Sequence, residues 1–220
     1  MSAEIIISYD GTPNDDDALA LGKLLAGEGA RLALAYVRHA RELDPAREAL
    51  AQHDAEQRLE HGADWLGLPE VPRYVVLSAS TGAGLEELAE TEQASLIVFG
   101  SDYRTPPGHA EPPASAQRLL EIGTVAIGVA AAGLRAQPDA SITRISVLAA
   151  EDPAATETAD ALASRFAASV VAPSDADVIV VGSQPGAPAG RVALSGSVRS
   201  VLDASRGSVL VLASGRPLLL

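Results

Sequence analysis

Short aliphatic runs alternate along this chain with longer stretches whose apolar residues recur every three or four positions. Residues 5–9 form a nearly unbroken apolar run, and 32–37, 74–77, Leu96–Phe99 and 125–129 repeat the type. Runs of this length without polar alternation predict strands covered on both faces, as in a parallel sheet. Between them the spacing predicts helices. Thr12-Pro13-Asn14-Asp15 opens the first, with Thr12 as cap, Pro13 in the first turn and Asp15 as the capping-box acid. Pro45–Leu66 carries Ala51, Ala55, Leu59, Ala63 and Leu66 on one face, and shorter helices follow over 85–91 and 116–122.

After residue 130 the chain repeats itself. Residues 145–148 read as a strand, and Asp152-Pro153 opens a helix as Thr12-Pro13 does. Val178-Ile179-Val180-Val181-Gly182-Ser183 matches Leu96-Ile97-Val98-Phe99-Gly100-Ser101, and a helix over 198–202 and a strand over 209–212 complete the copy. Pro13 and Pro153 lie 140 positions apart, but Gly100 and Gly182 only 82, so the second copy is shorter by 58 residues between its second strand and its Gly-Ser strand. That gap corresponds to the long helix, the third strand and the third helix. The expected division is a full α/β unit over 1–130, a linker over 131–141, a trimmed unit over 142–214 and a tail over 215–220. The tail, with Pro217-Leu218-Leu219-Leu220, reads as exposed.

Composition narrows the function. Sixteen basic residues against 29 acidic ones give a net charge of −13, which repels nucleic-acid backbones and anionic lipid. Neither nucleic acid nor membrane is an expected partner. Aromatic residues are only 3% of the chain, so the core must be aliphatic, and the absence of cysteine removes disulfides, thiolate nucleophiles and Cys-based metal sites. The start, Met1-Ser2-Ala3-Glu4, lacks the basic stretch of a secretory signal, so a cytoplasmic protein is expected.

The segment from Gly182 to Ser197 carries the most chemistry. A buried strand ends in Gly182-Ser183, a loop with Gly186, Gly190 and Arg191 follows, and Gly196-Ser197-Val198 starts a helix. Amides at a helix start favour phosphate, and Arg191 would add positive charge. The plain alternative is a solvent loop of small residues.

A first strand ending in Asp10-Gly11-Thr12-Pro13, the Val-Ile-Val-Val-Gly-Ser strand, and nine residues between Gly186 and Gly196-Ser197 together resemble the universal stress protein family. The resemblance extends over nearly the whole chain, as a tandem. It implies a doubly wound α/β fold with strand order 3-2-1-4-5 and ATP, with or without Mg²⁺, as the cofactor in the cleft beyond the strand ends. It also implies pairing through the last strands, either between the two halves of one chain or between two chains. Carried over, the ligand-binding roles fall on Asp10, Val37, Gly100, Gly108 and Ser115 in the first half. In the second they fall on Gly182, Gly186, Gly196, Ser197 and Val198, with Ser183, Gly190 and Arg191 beside them.

Both halves depart from the family pattern. The first keeps Asp10 but has Ala114 for the last loop glycine, and Pro106, Pro107, Pro112 and Pro113 offer no amide hydrogen. Asp102 and Glu111 add negative charge there. The second has the better loop, yet Ala150 stands in the place of Asp10, with Asp152 reading as a helix cap. The second half is therefore the preferred nucleotide site. Other patterns have simpler explanations: Thr81–Leu85 as a strand-to-helix turn, the face His53, Glu56, Glu60 and Asp64 as a solvated surface, and Asp15, Asp16 and Asp17 as partners of a helix dipole. His109, beside Gly108, is a weak ligand candidate. The resulting expectation is a nucleotide-linked stress regulator without efficient turnover. Its alternatives are a docking module with two degenerate sites and an adenylyl-transfer enzyme. The latter lacks its expected loop after the first strand, where the chain reads Tyr9-Asp10-Gly11-Thr12.

Overall fold

The computed structural model describes residues 4–27, 29–149 and 151–220. The first half contains β1 (Ile5–Ser8), α1 (Pro13–Ala26), β2 (Leu32–Arg38), α2 (Pro45–Leu66), β3 (Arg73–Leu77), α3 (Thr81–Glu92), β4 (Leu96–Phe99), α4 (Ala114–Ile122) and β5 (Ala126–Val129). The second contains β6 (Arg144–Leu148), α5 (Pro153–Phe166), β7 (Ser169–Val170), β8 (Val178–Val181), α6 (Gly196–Ala204) and β9 (Ser208–Val211). Among the described residues, nine strands lie in one sheet of order β3-β2-β1-β4-β5-β9-β8-β6-β7. The first five strands keep the 3-2-1-4-5 order, and every neighbouring pair is parallel except β5 with β9.

Strand alternation builds two continuous aliphatic layers. Ile5 and Ile7 face one side with Val178 and Val180, while Ile6 faces the other with Ile179 and Val181. Each layer crosses the β5–β9 seam, so neither half has a core of its own. At the seam Ile127, Gly128 and Val129 pair with Val211, Leu210 and Val209. A methyl group added at Gly128 would stand 3.3 Å from both Leu210 and Val98, so glycine leaves room for the Leu210 side chain.

Local chemistry sets the helix ends. Asp44 caps α2 by accepting from the Ala46 and Arg47 N–H groups, and Gly67, at φ 70°, closes it in the left-handed conformation. Helix α3 begins four residues before the sequence places it. Ser80 caps it, and Gly82 and Gly84, poor helix formers, are used for close approach: a Cβ on Gly84 would stand 2.8 Å from that of Ser78. Asp152 caps α5 through the Ala154 N–H. The tail departs in part from the exposed segment expected: Leu219 is exposed, but Leu218 is not. Leu218 is buried, and its N–H donates to the Thr158 hydroxyl on α5, because the chain leaving β9 runs back across that helix. Strand β7, only two residues long, sits at the sheet edge where the trimmed half ends. Among the described residues, no helix is long and apolar enough to cross a membrane.

Truncating Leu210, fully buried at the seam, is expected to destabilise the fold by about 2–5 kcal/mol. Urea denaturation of Leu210→Ala should still show one transition, since both core layers span the seam.

Candidate functional site

Open parallel sheets bind ligands beyond the carboxyl ends of their strands, where the strand order reverses. In the first half that point lies between β1 and β4, and a cleft of about 620 Å³ opens there. It gathers Asp10 from the end of β1, Val37 from β2, Gly100 after β4, and Ser115 in the first turn of α4. Gly108, expected with them, is engaged elsewhere: its N–H donates to the Ala132 carbonyl, and its own carbonyl accepts from the Gly207 N–H. Gly100 has a steric requirement, because a Cβ would stand 2.0 Å from the Asn14 carbonyl oxygen.

The acids of the first helical turn have three separate roles. Asp15 reaches back to the Thr12 N–H at 3.0 Å, the Thr12 hydroxyl at 2.7 Å and the Asp10 N–H at 3.2 Å. Burial, with Asp10 beside it, pushes Asp15 up to about 7, against the Thr12 hydrogen bonds that favour its charge. Asp16 accepts from the phenol of buried Tyr9, whose ionisation is driven far up by burial and by that carboxylate. Asp17, fully buried, receives the Gly133 and Arg135 N–H groups and the Arg135 guanidinium at 2.6 Å. It anchors the segment that joins the two halves.

Several cleft residues carry no motif and escape a sequence reading: Asn14, Tyr36, His39 and Tyr103. Their common signal is position, near the carboxyl end of a strand, in the loop beyond it or in the helix turn that follows. Asn14 donates to the Ser101 carbonyl at 2.9 Å. His39 Nδ1 lies 3.2 Å from the Ser78 carbonyl, which can only accept, so this nitrogen carries the proton. Arg58, on α2, bonds the Tyr36 hydroxyl at 2.7 Å and stacks over its ring at the cleft mouth.

The second-half residues are placed as follows. Gly182 and Ser183 are buried at the end of β8, and Asp152 accepts from the Ser183 N–H and the Gly215 N–H. Gly190 packs against Arg216, while Gly186 and Gly196 face open space. Arg191, about half exposed, lies 4.0 Å from Glu86 on α3. Ser195 caps α6 through the Val198 N–H and also bonds the Ser197 hydroxyl at 3.0 Å, so one amide of the first turn and the Ser197 hydroxyl are engaged. By contrast α4 begins after Pro113 with no side-chain cap, and its first turn faces the cleft. Ala150 lies outside the described residues.

The two loops share their hydrogen bonds at the constant offset of 82. Ser101 donates to the Ala130 carbonyl and accepts from the Glu111 N–H, as Ser183 does with Leu212 and Ala193. Gly108 and His109 bridge to Ala132 as Gly190 and Arg191 bridge to Ser214. In both halves the Gly-Ser hydroxyl thus ties the loop to the end of the last strand. His109 takes part through its backbone. His53, Glu56, Glu60 and Asp64 are exposed on α2.

Folded Asp15 holds its proton to a higher pH than the unfolded chain does, so its ionisation subtracts stability as the pH rises from about 4 to about 7. Asp15→Asn should reduce the stability lost between about pH 5 and about pH 8, as read from urea midpoints.

The model of the universal stress protein family matches residues 1–110. A solved universal stress protein from Archaeoglobus fulgidus DSM 4304 is similar at 13% identity, over 95% of this chain and 97% of that one, with a TM-score of 0.57. A functionally unknown protein from Pseudomonas aeruginosa PAO1 is similar at 16% identity, over 97% of this chain and 93% of its own, with a TM-score of 0.53. These likenesses establish the fold. No curated protein matches the sequence. With the family model spanning half of the chain and the strand order that the family implies, the chain belongs to the universal stress protein family.

Proposed function

We propose that this chain is a tandem stress-response regulator that binds an adenine nucleoside or nucleotide in its first-half cleft and acts through occupancy rather than turnover. The observation that carries the reading is the 620 Å³ cleft between β1 and β4, which brings Asp10, Val37, Gly100 and Ser115 together at the switch point of the sheet. Its volume suits a nucleoside-sized ligand. In this reading Asp10, which lines the cleft, would accept from ribose hydroxyls, and the uncapped start of α4 faces the same space.

This moves the preferred site from the second half to the first. The glycine-rich loop of the second half is the better match to the family motif, but its Ser197 hydroxyl is bonded to Ser195, whereas Ser115 lines the first-half cleft. The second half then serves as the partner surface for β5 and for the loop after β4. Regulation would follow from ligand-dependent order at the cleft, read by another protein of the stress response. With no cysteine in the chain, redox switching through thiols is not part of the reading.

The test uses a matched pair of substitutions at the same loop position. Ser115→Glu puts bulk and charge into the first cleft, and Ser197→Glu does the same in the second half. Calorimetric titration with adenosine and with ATP should find one site per chain, lost in Ser115→Glu and kept within about threefold in Ser197→Glu. Loss in Ser197→Glu alone would assign the site to the second half.

A further inference from the structure

A second cavity, of about 690 Å³, opens at the other end of the sheet, where β2 and β3 begin. Its wall is aliphatic: Leu32 opens β2, Leu66 closes α2, and Leu68, Val71 and Pro72 lie on the chain between α2 and β3. Leu66 and Val71 are buried, but Leu68 is 44% exposed although it lines this space. The chain's own bonds fix the shape of the wall. Gly67 ends α2 in the left-handed conformation, the Leu68 N–H donates to the Ala63 carbonyl, and the Val71 N–H donates to the Leu68 carbonyl. A preformed, concave, apolar surface of this volume suits a small molecule that buries most of its own area.

The charged groups around the cavity decide the polar end of that molecule. Lys23, Arg31, Glu70 and Glu92 line it, two of each sign. They differ in what they lack. Glu92 is engaged by the Tyr74 phenol, whose ionisation is raised by burial and by that hydrogen bond. Glu70 is exposed and keeps its hydration. Lys23, also exposed, gives one N–H to the Leu66 carbonyl at 3.3 Å and has donors to spare. Arg31 is half-buried. Its main-chain N–H donates to Glu4 at 3.2 Å, and among the described residues its guanidinium has no partner. A half-buried guanidinium has lost part of its hydration, and a carboxylate restores it with two charge-assisted hydrogen bonds. The hydrated Glu70 gains less from a cation.

We propose that this cavity is a second ligand site and takes an apolar monocarboxylate. The ring or short chain of the ligand packs on Leu32, Leu66, Leu68 and Val71, and its carboxylate meets Arg31 and Lys23. The site is separate from the first-half cleft and does not rest on the nucleoside or nucleotide reading. The two share a frame: α1 brings Asn14 to the cleft at its start, and Lys23 and Ala26 to this cavity at its end.

Aromatic and aliphatic acids offer the same chemistry, and the experiment separates them. The ¹⁵N-labelled full chain, at physiological salt and neutral pH, is titrated with indole-3-acetate, octanoate and tryptamine. Amide shifts should centre on Ala26, Leu32, Leu68 and Val71 and reach half-saturation below about 1 mM for at least one acid, which identifies the body as ring or chain. Tryptamine, a cation on the same ring, should bind at least about tenfold more weakly. Arg31→Gln should weaken the preferred acid about tenfold. Leu68→Glu, at an exposed position, should abolish binding, and Ser115→Glu, in the other cleft, should leave it within about twofold. Tryptamine binding as tightly as the acids, or unchanged affinity in Arg31→Gln, would overturn the carboxylate assignment. No saturable shift at these residues with either acid up to about 10 mM would overturn the site itself.

Discussion

Pairing β5 with β9 is the constraint from which the rest of the molecule follows. Both are four-residue strands with every residue buried, and each would otherwise present an edge of unpaired backbone groups. Joined antiparallel, they complete each other's hydrogen bonding and run two aliphatic layers through the whole chain. The antiparallel sense also points the strand ends of the two halves in opposite directions. The loop after each Gly-Ser strand consequently meets the other half: Gly108 accepts from Gly207, and the Val192 N–H donates to Gly123. Both loops are thereby part of the joint.

That joint also explains how a trimmed half persists. The second copy lacks counterparts of α2, β3 and α3, and ends in a two-residue edge strand. Helix α5 is held by contacts outside that copy's sheet: the Arg165 guanidinium donates to the Ala26 carbonyl of α1, and the returning tail buries Leu218 beside Thr158. Asp17 fixes the joining segment from the other side with its three donors. A buried carboxylate with that many partners is well satisfied, and losing Arg135 would leave the charge undercompensated.

Much of this was legible in the sequence because the strands are short, continuous and aliphatic. Pro45–Leu66, Leu96–Phe99 and Val178–Val181 have the same limits in the sequence pattern and in the structure. The start of α3 was not, since Gly82 and Gly84 argue against a helix by propensity and are there for close packing. The burial of Leu218 is not legible either, because a run of leucines says nothing about which helix it will meet. At the site, motif residues Asp10, Val37, Gly100 and Ser115 did converge, whereas Gly108 did not. A spacing motif records where a glycine stands and not whether its N–H is already taken. His39, Tyr36 and Asn14 became visible only with the topology that puts their strand ends side by side.

The central claim is that the working cleft lies in the first half. The most direct measurement is the backbone amide spectrum of ¹⁵N-labelled protein titrated with adenosine. The account predicts shifts concentrated at Ser8, Asp10, Val37, Gly100 and Ser115, with Gly182, Gly196 and Ser197 unmoved. Shifts centred on Gly182, Gly196 and Ser197, with the first cleft silent, would contradict it.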